Sequence, residues 1–408
     1  MQIQVRPCRV CGGVLDTVLD LGNLAISTFP RPTDPSPPST RAPLDLCQCR
    51  DCALVQLRHT VAPDLMFKQY WYQSGINETM HAELQSIVAQ AVARVPISAG
   101  DYVLDIGAND GTLLEAYLPA SVFPCRIAIE PADNFQQALA PHCDWRIHDY
   151  FPTRLLTPYG DQIKIITQIA CFYDLDDPGM AVAEVARLLA PDGVWIVQFQ
   201  DLHQMIHATA FDNICHEHLV YYSLGSFERL IAPYGLRVVD AERRAINGGS
   251  LRLTIMHNLA RLRGGSVAAI RQAEEGCEHW QTLERFAWHV GEATRQIRGA
   301  VETAHAQGQI IDLYGASTKG NTLLQYCTLG PDQLRQAWER SLEKIGRQTI
   351  TGIPIVIEAV GRADPPDLLL AGIWQFRDAI IRRERSYLAG GGMLLFPLPK
   401  VDLVGESR

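Results

Sequence analysis

The stretch VLDIGANDG, from Val103 to Gly111, predicts the turn between a buried strand and a helix. Apolar residues lead into it, and the helix-forming run TLLEAYL follows it. Gly107 and Gly111 would let the backbone approach a ligand closely and would aim the N-terminus of the helix at it. The stretch therefore predicts an α/β domain that binds a ligand at the carboxyl end of its first strand.

Strands and helices alternate after this turn. RIAI is a predicted strand that ends at Glu130, IKIITQI is the next strand, a helix is expected from about 176 to 189, and VWIVQF follows. LRVVDAERR and SLRLTIMH, joined by the Asn247-Gly248-Gly249 turn, predict an antiparallel hairpin. We expect residues 99–262 to form an open, mostly parallel sheet with this hairpin at its edge.

The glycine loop favours S-adenosylmethionine (SAM) over NAD as its ligand. A dinucleotide loop needs G-x-G-x-x-G, but Asn109 occupies the middle glycine position and the third glycine is missing. The D-x-G-x-x-x-G form resembles the SAM loop of class I methyltransferases, and a carboxylate that ends the next strand can accept both ribose hydroxyls. A plain strand–turn–helix unit is the alternative. The expected cofactor-binding residues are Asp105, Gly107, Asn109, Gly111, Glu130 and Gln168.

Residues 263–408 predict a second, Rossmann-like α/β unit. Arg263-Gly264-Gly265 marks its border, and a helical stretch from about 266 to 307 leads into it. The strand IIDLY, the turn GASTKGN and the helix TLLQYC follow, and DLLLAGIW and MLLFPL are further strands around the helix RDAIIRRERSYL. The turn lacks the G-x4-G-K-[ST] spacing of a Walker A loop. For Lys319 within it, a solvated surface lysine is the alternative to a ligand-binding one.

The first 60 residues predict a zinc ribbon. Two C-x2-C knuckles have the spacing of a closed, tetrahedral structural zinc site, for which scattered free thiols are the alternative. The four expected ligands are Cys8, Cys11, Cys49 and Cys52.

Other features of the N-terminal region are less regular. Gly12 allows a tight turn after the first knuckle, whereas Ala53 follows the second knuckle without that help. Cys47 is a fifth thiol that could replace a ligand. The Pro-rich run from Pro30 to Pro43 should be an exposed loop, and residues 61–98 should form a helical segment.

Charge and composition limit the partners. The 408-residue chain has a net charge of −9, which argues against a nucleic acid held by phosphate contacts. No apolar run is long enough to span a membrane, and the start MQIQVRPCRV lacks the regions of a secretory signal. We therefore expect a cytoplasmic protein of two or three domains, whose 11 cysteines are not paired in disulfides. The oligomeric state is open, and a monomer is plausible.

The run NICHEHLVYYS, from Asn213 to Ser223, has three interpretations. On an extended segment His216 and His218 would share a side and Glu217 would face away, so a metal would need distant ligands. Alternatively, both histidines are satisfied by backbone groups in a loop. The third interpretation is acid–base chemistry, because a carboxylate beside a histidine can orient it, and the run follows the strand VWIVQF at the ligand-binding edge of the sheet.

With these motifs in order, the chain resembles the sugar-nucleotide C-methyltransferases over essentially its whole length. The resemblance includes the two C-x2-C knuckles, Y-x-Y-x-S-G from Tyr70 to Gly75, VLDIGANDGTLL, FDNICHEHLVYYS, NGGSLR, YGASTKGNTLL and GGGMLLFPLP. It implies SAM-dependent methylation at C3 of a nucleotide-linked 4-keto-deoxysugar. Methylation of oxygen or nitrogen in another small molecule, and a non-catalytic zinc-ribbon interaction module, are the alternatives.

The resemblance also implies roles for single residues. His218 matches the base that removes the C3 proton, Glu217 its partner carboxylate, and Tyr70 a tyrosine that stabilises the enolate oxygen; Tyr222 is a further catalytic candidate. The implied substrate-binding residues are Tyr72, Asn247, Gly315, Ser317, Lys319, Asn321 and Trp374. Relatives that act on dTDP-sugars often have a tyrosine where this chain has Cys215 and a histidine where it has Phe172, so the implied substrate is less specific than the implied reaction.

Overall fold

The computed structural model describes residues 3–34, 40–117, 124–258 and 265–405. Three larger sheets and one two-stranded sheet account for the strands in these residues. No helix in the described ranges is both long and apolar enough to cross a membrane. The predicted domain borders at 60, 98 and 262 stay predictions, and Arg263 and Gly264 lie outside the described residues.

The N-terminal sheet is antiparallel and contains a strand from a distant part of the chain. Its strands are Leu15–Ala25, Arg41–Cys49, Val55–Leu57 and Val220–Tyr221, and Ile3–Val5 pairs separately with His59–Val61. Tyr221 pairs with Val55, and Val220 pairs with Gln56. The strand that follows the HEH motif is therefore part of the ribbon's sheet.

The expected Pro-rich loop is shorter than predicted. Residues 31–34 are exposed, but the strand that begins at Arg41 includes Ala42, which is fully buried, and Pro43. Residues 35–39 lie outside the described ranges.

The predicted helical segment is helical only in part. Its elements are the helices Asp64–Phe67 and Glu78–Arg94 and the 3-10 turn Ser74–Ile76. Asn77 caps the longer helix by accepting from the backbone N–H of Thr79. Residues 68–73, which include Tyr70 and Tyr72, form no helix.

The central sheet has the predicted open architecture with an antiparallel hairpin at its edge. From edge to edge its strands are Leu236–Arg244, Ser250–His257, Leu189–Gln200, Ile163–Ile169, Tyr102–Ile106, Cys125–Ile129 and Trp145–Ile147. Ser250–His257 is antiparallel to both of its neighbours, and the other pairs are parallel. Its helices are Thr112–Glu115, Gln136–Leu139, Pro178–Leu188, Leu202–His207 and Leu224–Ile231, with 3-10 turns at Asp133–Phe135, Ala140–His142, Arg154–Tyr159, Phe172–Asp174, Phe211–Asn213 and Ala232–Tyr234.

The C-terminal region contains a second, mostly parallel sheet. Its strands in order are Ile355–Ile357, Ala337–Glu339, Ile311–Tyr314, Leu368–Ala371, Met393–Phe396 and the antiparallel Asp402–Val404. Its helices are Thr318–Tyr326, Glu358–Ala363, Arg377–Arg383 and Arg385–Ala389, with a 3-10 turn at Trp374–Phe376.

Two predicted long helices are divided. The stretch from 266 to 307 forms the helices Gly265–Ala273 and Trp280–Ala306, because Gly276, at φ +79°, interrupts it. RDAIIRRERSYL is divided at Glu384, whose fully buried carboxylate pairs with Arg362.

Candidate active site

A cavity of about 340 Å³ lies where the SAM loop, the HEH loop and the C-terminal glycine turn meet. Its walls include the aromatic segment Phe67–Asn77, the carboxyl ends of central strands and the turn Tyr314–Lys319. This is the edge of an open α/β sheet at which ligands bind.

The SAM loop has the shape that its glycines predict. Gly107 is at φ +73°, and a Cβ there would lie 2.8 Å from Cys171 Sγ, so a side chain would not fit. Glu130 accepts the backbone N–H of Asn109 at 2.7 Å and that of Ala132 at 2.8 Å. This carboxylate is thus held at the cavity wall, where it can accept ribose hydroxyls, and the loop fits SAM.

The other expected cofactor residues divide into two groups. Asp105 lines the cavity and accepts from the Thr167 hydroxyl at 2.7 Å, and burial raises the pKa of Asp105 to about 7. Gly111, at φ +87°, packs against His142 and is not part of the cavity wall. Gln168 is fully buried and is not part of the wall either. Gly111 and Gln168 therefore shape the loop's surroundings and do not line the cavity.

Asn109 connects the SAM loop to the aromatic segment. Its Oδ1 accepts the backbone N–H of Ser74, and its Nδ2 donates to the carbonyl oxygen of Tyr72, both at 3.0 Å. Asn134 holds Tyr70 in the same way, by one bond to its backbone N–H and one to its carbonyl oxygen. Both expected tyrosines are thereby fixed at the cavity wall without helical structure.

The HEH loop is a turn, so the predicted alternation of its side chains is wrong. The backbone N–H of His218 donates to the carbonyl oxygen of Cys215 at 3.1 Å. Glu217 and His218 line the cavity together, whereas His216 contacts the carbonyl oxygen of Ala42 in the ribbon through Nε2 at 3.0 Å.

The hydrogen bonding of His218 determines its tautomer. Its Nδ1 lies 2.9 Å from the carbonyl oxygen of Asn213, which can only accept, so Nδ1 carries the proton. Burial, and next the charge of Lys319, lower the pKa of His218 to about 3, so the ring is neutral at pH 7. Its free Nε2 is an acceptor.

Glu217 and Lys319 influence each other across the cavity. Burial raises the pKa of Glu217 to about 7, and the positive charge of Lys319 opposes this rise. Lys319 is held in place by donating Nζ–H to the carbonyl oxygen of Asn247 at 2.9 Å. It lines the cavity and is not the solvated lysine of the alternative interpretation.

The turn that carries Lys319 also has the expected form. Gly315 is at φ +88°, and a Cβ there would lie 2.9 Å from Ile373. Ser317 caps the following helix by accepting the backbone N–H of Gly320 at 2.9 Å. Gly315, Ser317 and Asn247 all line the cavity.

Three expected catalytic or substrate-binding residues also lie outside the cavity wall. Tyr222 is fully buried among the aromatic rings of Phe172, Phe199 and Phe227. The Asn321 amide bonds to Ser27 and Thr28 of the ribbon, and Trp374 donates Nε1–H to Asp212 at 2.8 Å. The position of a residue in a motif does not show whether its side chain contacts a ligand or another part of the protein.

Several cavity residues lack a motif that could have predicted them. Tyr173 packs edge-on against the His218 ring, with 4.5 Å between centroids, and Asp174 follows it at the cavity wall. Arg340 and Lys344 reach the cavity from the segment after the strand Ala337–Glu339. The sequence indicated these residues only by their positions after the ends of parallel strands, where ligands bind.

A metal at the HEH loop would not need distant ligands, contrary to expectation. Ligand atoms of Cys215, Glu217 and His218 lie within 4.8 Å of one another, and all three residues are buried. However, the ammonium group of Lys319 acts on the same three residues and opposes a second cation.

The thiol cluster fits the expected zinc. The Sγ atoms of Cys8 and Cys11 each lie 3.5 Å from the Sγ of Cys52, and the Sγ atoms of Cys11 and Cys49 lie 3.4 Å apart. Tetrahedral Zn–S bonds place sulfur atoms about 3.8 Å apart, so small shifts would accommodate the ion. Cys47 is outside the cluster.

The second knuckle turns like the first despite lacking a glycine. Ala53 is at φ +60° and donates its backbone N–H to the carbonyl oxygen of Cys49, as Gly12 does to that of Cys8. The left-handed conformation is therefore adopted by an alanine there.

Family models match three successive parts of the chain. A zinc binding domain matches residues 8–67, a methyltransferase domain matches residues 76–241, and a C-methyltransferase C-terminal domain matches residues 245–399.

Among solved structures, the PH0226 protein from Pyrococcus horikoshii OT3 is 14% identical to this chain. The alignment covers 48% of this chain and 96% of PH0226, with a TM-score of 0.36. The magnesium protoporphyrin IX methyltransferase ChlM from Synechocystis PCC 6803 is 11% identical, covers 43% and 79%, and has a TM-score of 0.33. Likenesses as remote as these two add nothing to the assignment.

A curated relative matches over the full length. The C-methyltransferase NovU of Streptomyces niveus is 31% identical over 424 aligned residues, which cover 100% of this chain and 99% of NovU. This match includes the zinc ribbon, the SAM loop, the HEH loop and the C-terminal glycine turn. The chain therefore belongs to the C-methyltransferase family and combines a zinc-binding domain with a SAM-dependent methyltransferase domain.

Proposed function

We propose that this enzyme methylates C3 of a nucleotide-linked 4-keto-deoxysugar. The observation that carries the proposal is that His218 and Glu217 line the same cavity as the SAM loop and Lys319. One compartment thus combines a neutral base, a methyl-donor site and a cation from the C-terminal turn. An enolate-forming C-methylation needs these groups close together.

The proton transfer uses the free nitrogen of His218. A 4-ketone acidifies the hydrogen at C3, and Nε2 accepts that proton as the carbonyl becomes an enolate. Glu217, facing the same cavity, stabilises the imidazolium that forms. The Tyr70 hydroxyl, whose pKa is raised first by burial and then by the charge of Glu217, stays protonated and can donate to the enolate oxygen.

SAM supplies an electrophilic methyl group when it is bound. The Gly107 loop and Glu130 would hold SAM beside the enolate carbon, which would take the methyl group as a neutral thioether leaves and the ketone is restored. Lys319, Arg340 and Lys344 place positive charge on the C-terminal side of the cavity, which suits the diphosphate of a nucleotide-sugar.

Hydrogen exchange tests this proposal. We would incubate the enzyme in D2O without SAM, with a panel of nucleotide-linked 4-keto-6-deoxysugars, and follow the C3–H signal by NMR. We expect exchange faster than in enzyme-free controls, its loss in His218→Asn, and a product one methyl group heavier once SAM is added. A methylated product formed with no enzyme-dependent exchange would indicate oxygen or nitrogen methylation and would refute the enolate mechanism.

A further inference from the structure

Asp174 occupies a position between the SAM loop and the catalytic base. Its backbone N–H donates to the carbonyl oxygen of Cys171 at 3.2 Å, and the Cys171 thiol donates to the carbonyl oxygen of Ile106 at 3.1 Å, just before Gly107. On its other side the preceding residue, Tyr173, packs against the His218 ring. Asp174 is therefore fixed in the wall of the cavity that the Gly107 loop and His218 also line.

The Asp174 carboxylate has no hydrogen-bond or ion-pair partner among the described residues. Its Oδ1 is buried without a hydrogen bond, and no ion pair joins it to another described residue. By contrast, Glu130 accepts two backbone N–H groups and Asp105 accepts a hydroxyl. An unpaired carboxylate in such a place is costly unless a ligand supplies a donor or a positive charge.

The neighbouring charges further disfavour the ionised form of Asp174. Burial, and next the charge of Glu217, hold the pKa of Asp174 well above its usual range. Lys319 instead acts on Asp212, Cys215 and Glu217. No cation of the described residues acts on Asp174, so a positive charge on a bound molecule would favour its ionised form.

We propose that the Asp174 carboxylate is the counter-ion of the SAM sulfonium, and that it makes the enzyme prefer SAM to S-adenosylhomocysteine (SAH). The adjoining Gly107 loop binds the cofactor, and SAM carries its positive sulfur at the methyl group to be transferred. Transfer leaves a neutral thioether, so Asp174 loses its partner and SAH is held less tightly. The inference concerns the methyl donor and does not depend on the identity of the acceptor.

Calorimetry with two cofactors isolates the sulfonium. SAM and SAH share the adenosine, the carboxylate and the amino group, so the ratio of their dissociation constants reports the sulfonium alone. We expect Asp174→Asn to weaken SAM binding about tenfold or more, as for removal of one partner of a buried charge pair, and to leave SAH binding nearly unchanged. Sinefungin, which has an amine in place of the methylsulfonium, should lose affinity as SAM does.

Two further variants make the result decisive. Asp174→Glu keeps the charge and should retain most of the preference for SAM, and the exposed Asp161→Asn should leave both affinities unchanged. Thermal unfolding would confirm that each variant is folded, and unchanged SAH binding serves as a second folding control. Equal losses for SAM and SAH, or an unchanged ratio in Asp174→Asn, would overturn the proposal.

Discussion

The carbonyl oxygen of Asn213 accepts the Nδ1–H of His218 at 2.9 Å, so the loop that carries the proposed base also sets its tautomer. The Tyr221 hydroxyl donates to the same oxygen at 3.3 Å. With Nδ1 committed in this way, Nε2 is the nitrogen available to a substrate.

Replacing His218, the proposed base, should lower turnover strongly and leave SAM binding intact. In His218→Asn we expect kcat to fall about 100-fold or more, since a positioned general base contributes that much, while SAM affinity measured by calorimetry stays within about twofold. Tyr222→Phe is the matched control, because the Tyr222 ring packs in the aromatic core and its buried hydroxyl makes no hydrogen bond to a described residue, and it should keep most activity. Near-normal turnover in His218→Asn would exclude His218 as the base.

Glu217 should make the protein's stability depend on pH. Its folded pKa, about 7, lies above the ordinary value of 4.5, so the folded state holds the proton more tightly than the unfolded state does. Below about pH 4.5 the group is protonated in both states, so its ionisation does not change the free energy of unfolding. Above about pH 7 it is ionised in both states, and the free energy of unfolding is lowered by the full amount. In urea unfolding, Glu217→Gln should be more stable than wild type at pH 8, by up to about 3 kcal/mol, and the difference should vanish near pH 4.5. A difference that does not change with pH would contradict the raised pKa.

Lys319 should matter for the acceptor rather than for SAM. Lys319→Met removes the cation held at Asn247, so we expect the KM for the nucleotide-sugar to rise about tenfold or more while SAM affinity is kept. Lys164→Met, which removes a lysine paired with exposed Asp192, is the control and should change neither value. The assignment would be wrong if Lys319→Met weakened only SAM binding.

Loss of the zinc site should disturb the catalytic loop. The ribbon supplies the strand that pairs with Val220–Tyr221, so Cys49→Ala should lower zinc content, thermal stability and turnover together. Cys47→Ala removes a neighbouring thiol outside the cluster and should retain one zinc per chain by elemental analysis. Equal zinc loss in both variants would show that Cys47 is a ligand.

Local patterns predicted the elements of the fold well. Residues 102–106, 163–169 and 250–257 are strands because apolar runs bounded by turn residues leave few alternatives. The helix predicted from 266 to 307 is divided because one glycine at positive φ outweighs the helical pattern around it.

Side-chain directions were less predictable than strands. Glu217 faces the cavity because His218 closes a turn onto Cys215, and no local pattern distinguishes this turn from an extended segment. Asn321 and Trp374 lie in or near motifs, but their partners come from segments distant in sequence. Such partners are known only once the three sheets are assembled.

The pairing of Val55–Gln56 with Val220–Tyr221 has a consequence for how such enzymes can be recombined. The methyl-donor loop lies on strands of the central sheet, whereas the segment after the base completes a sheet begun near the start of the chain. A chimera that takes its acceptor specificity from a relative should therefore take the ribbon and the HEH loop together from that relative. Exchanging either alone would pair strands from two different proteins in the sheet that supports the HEH loop.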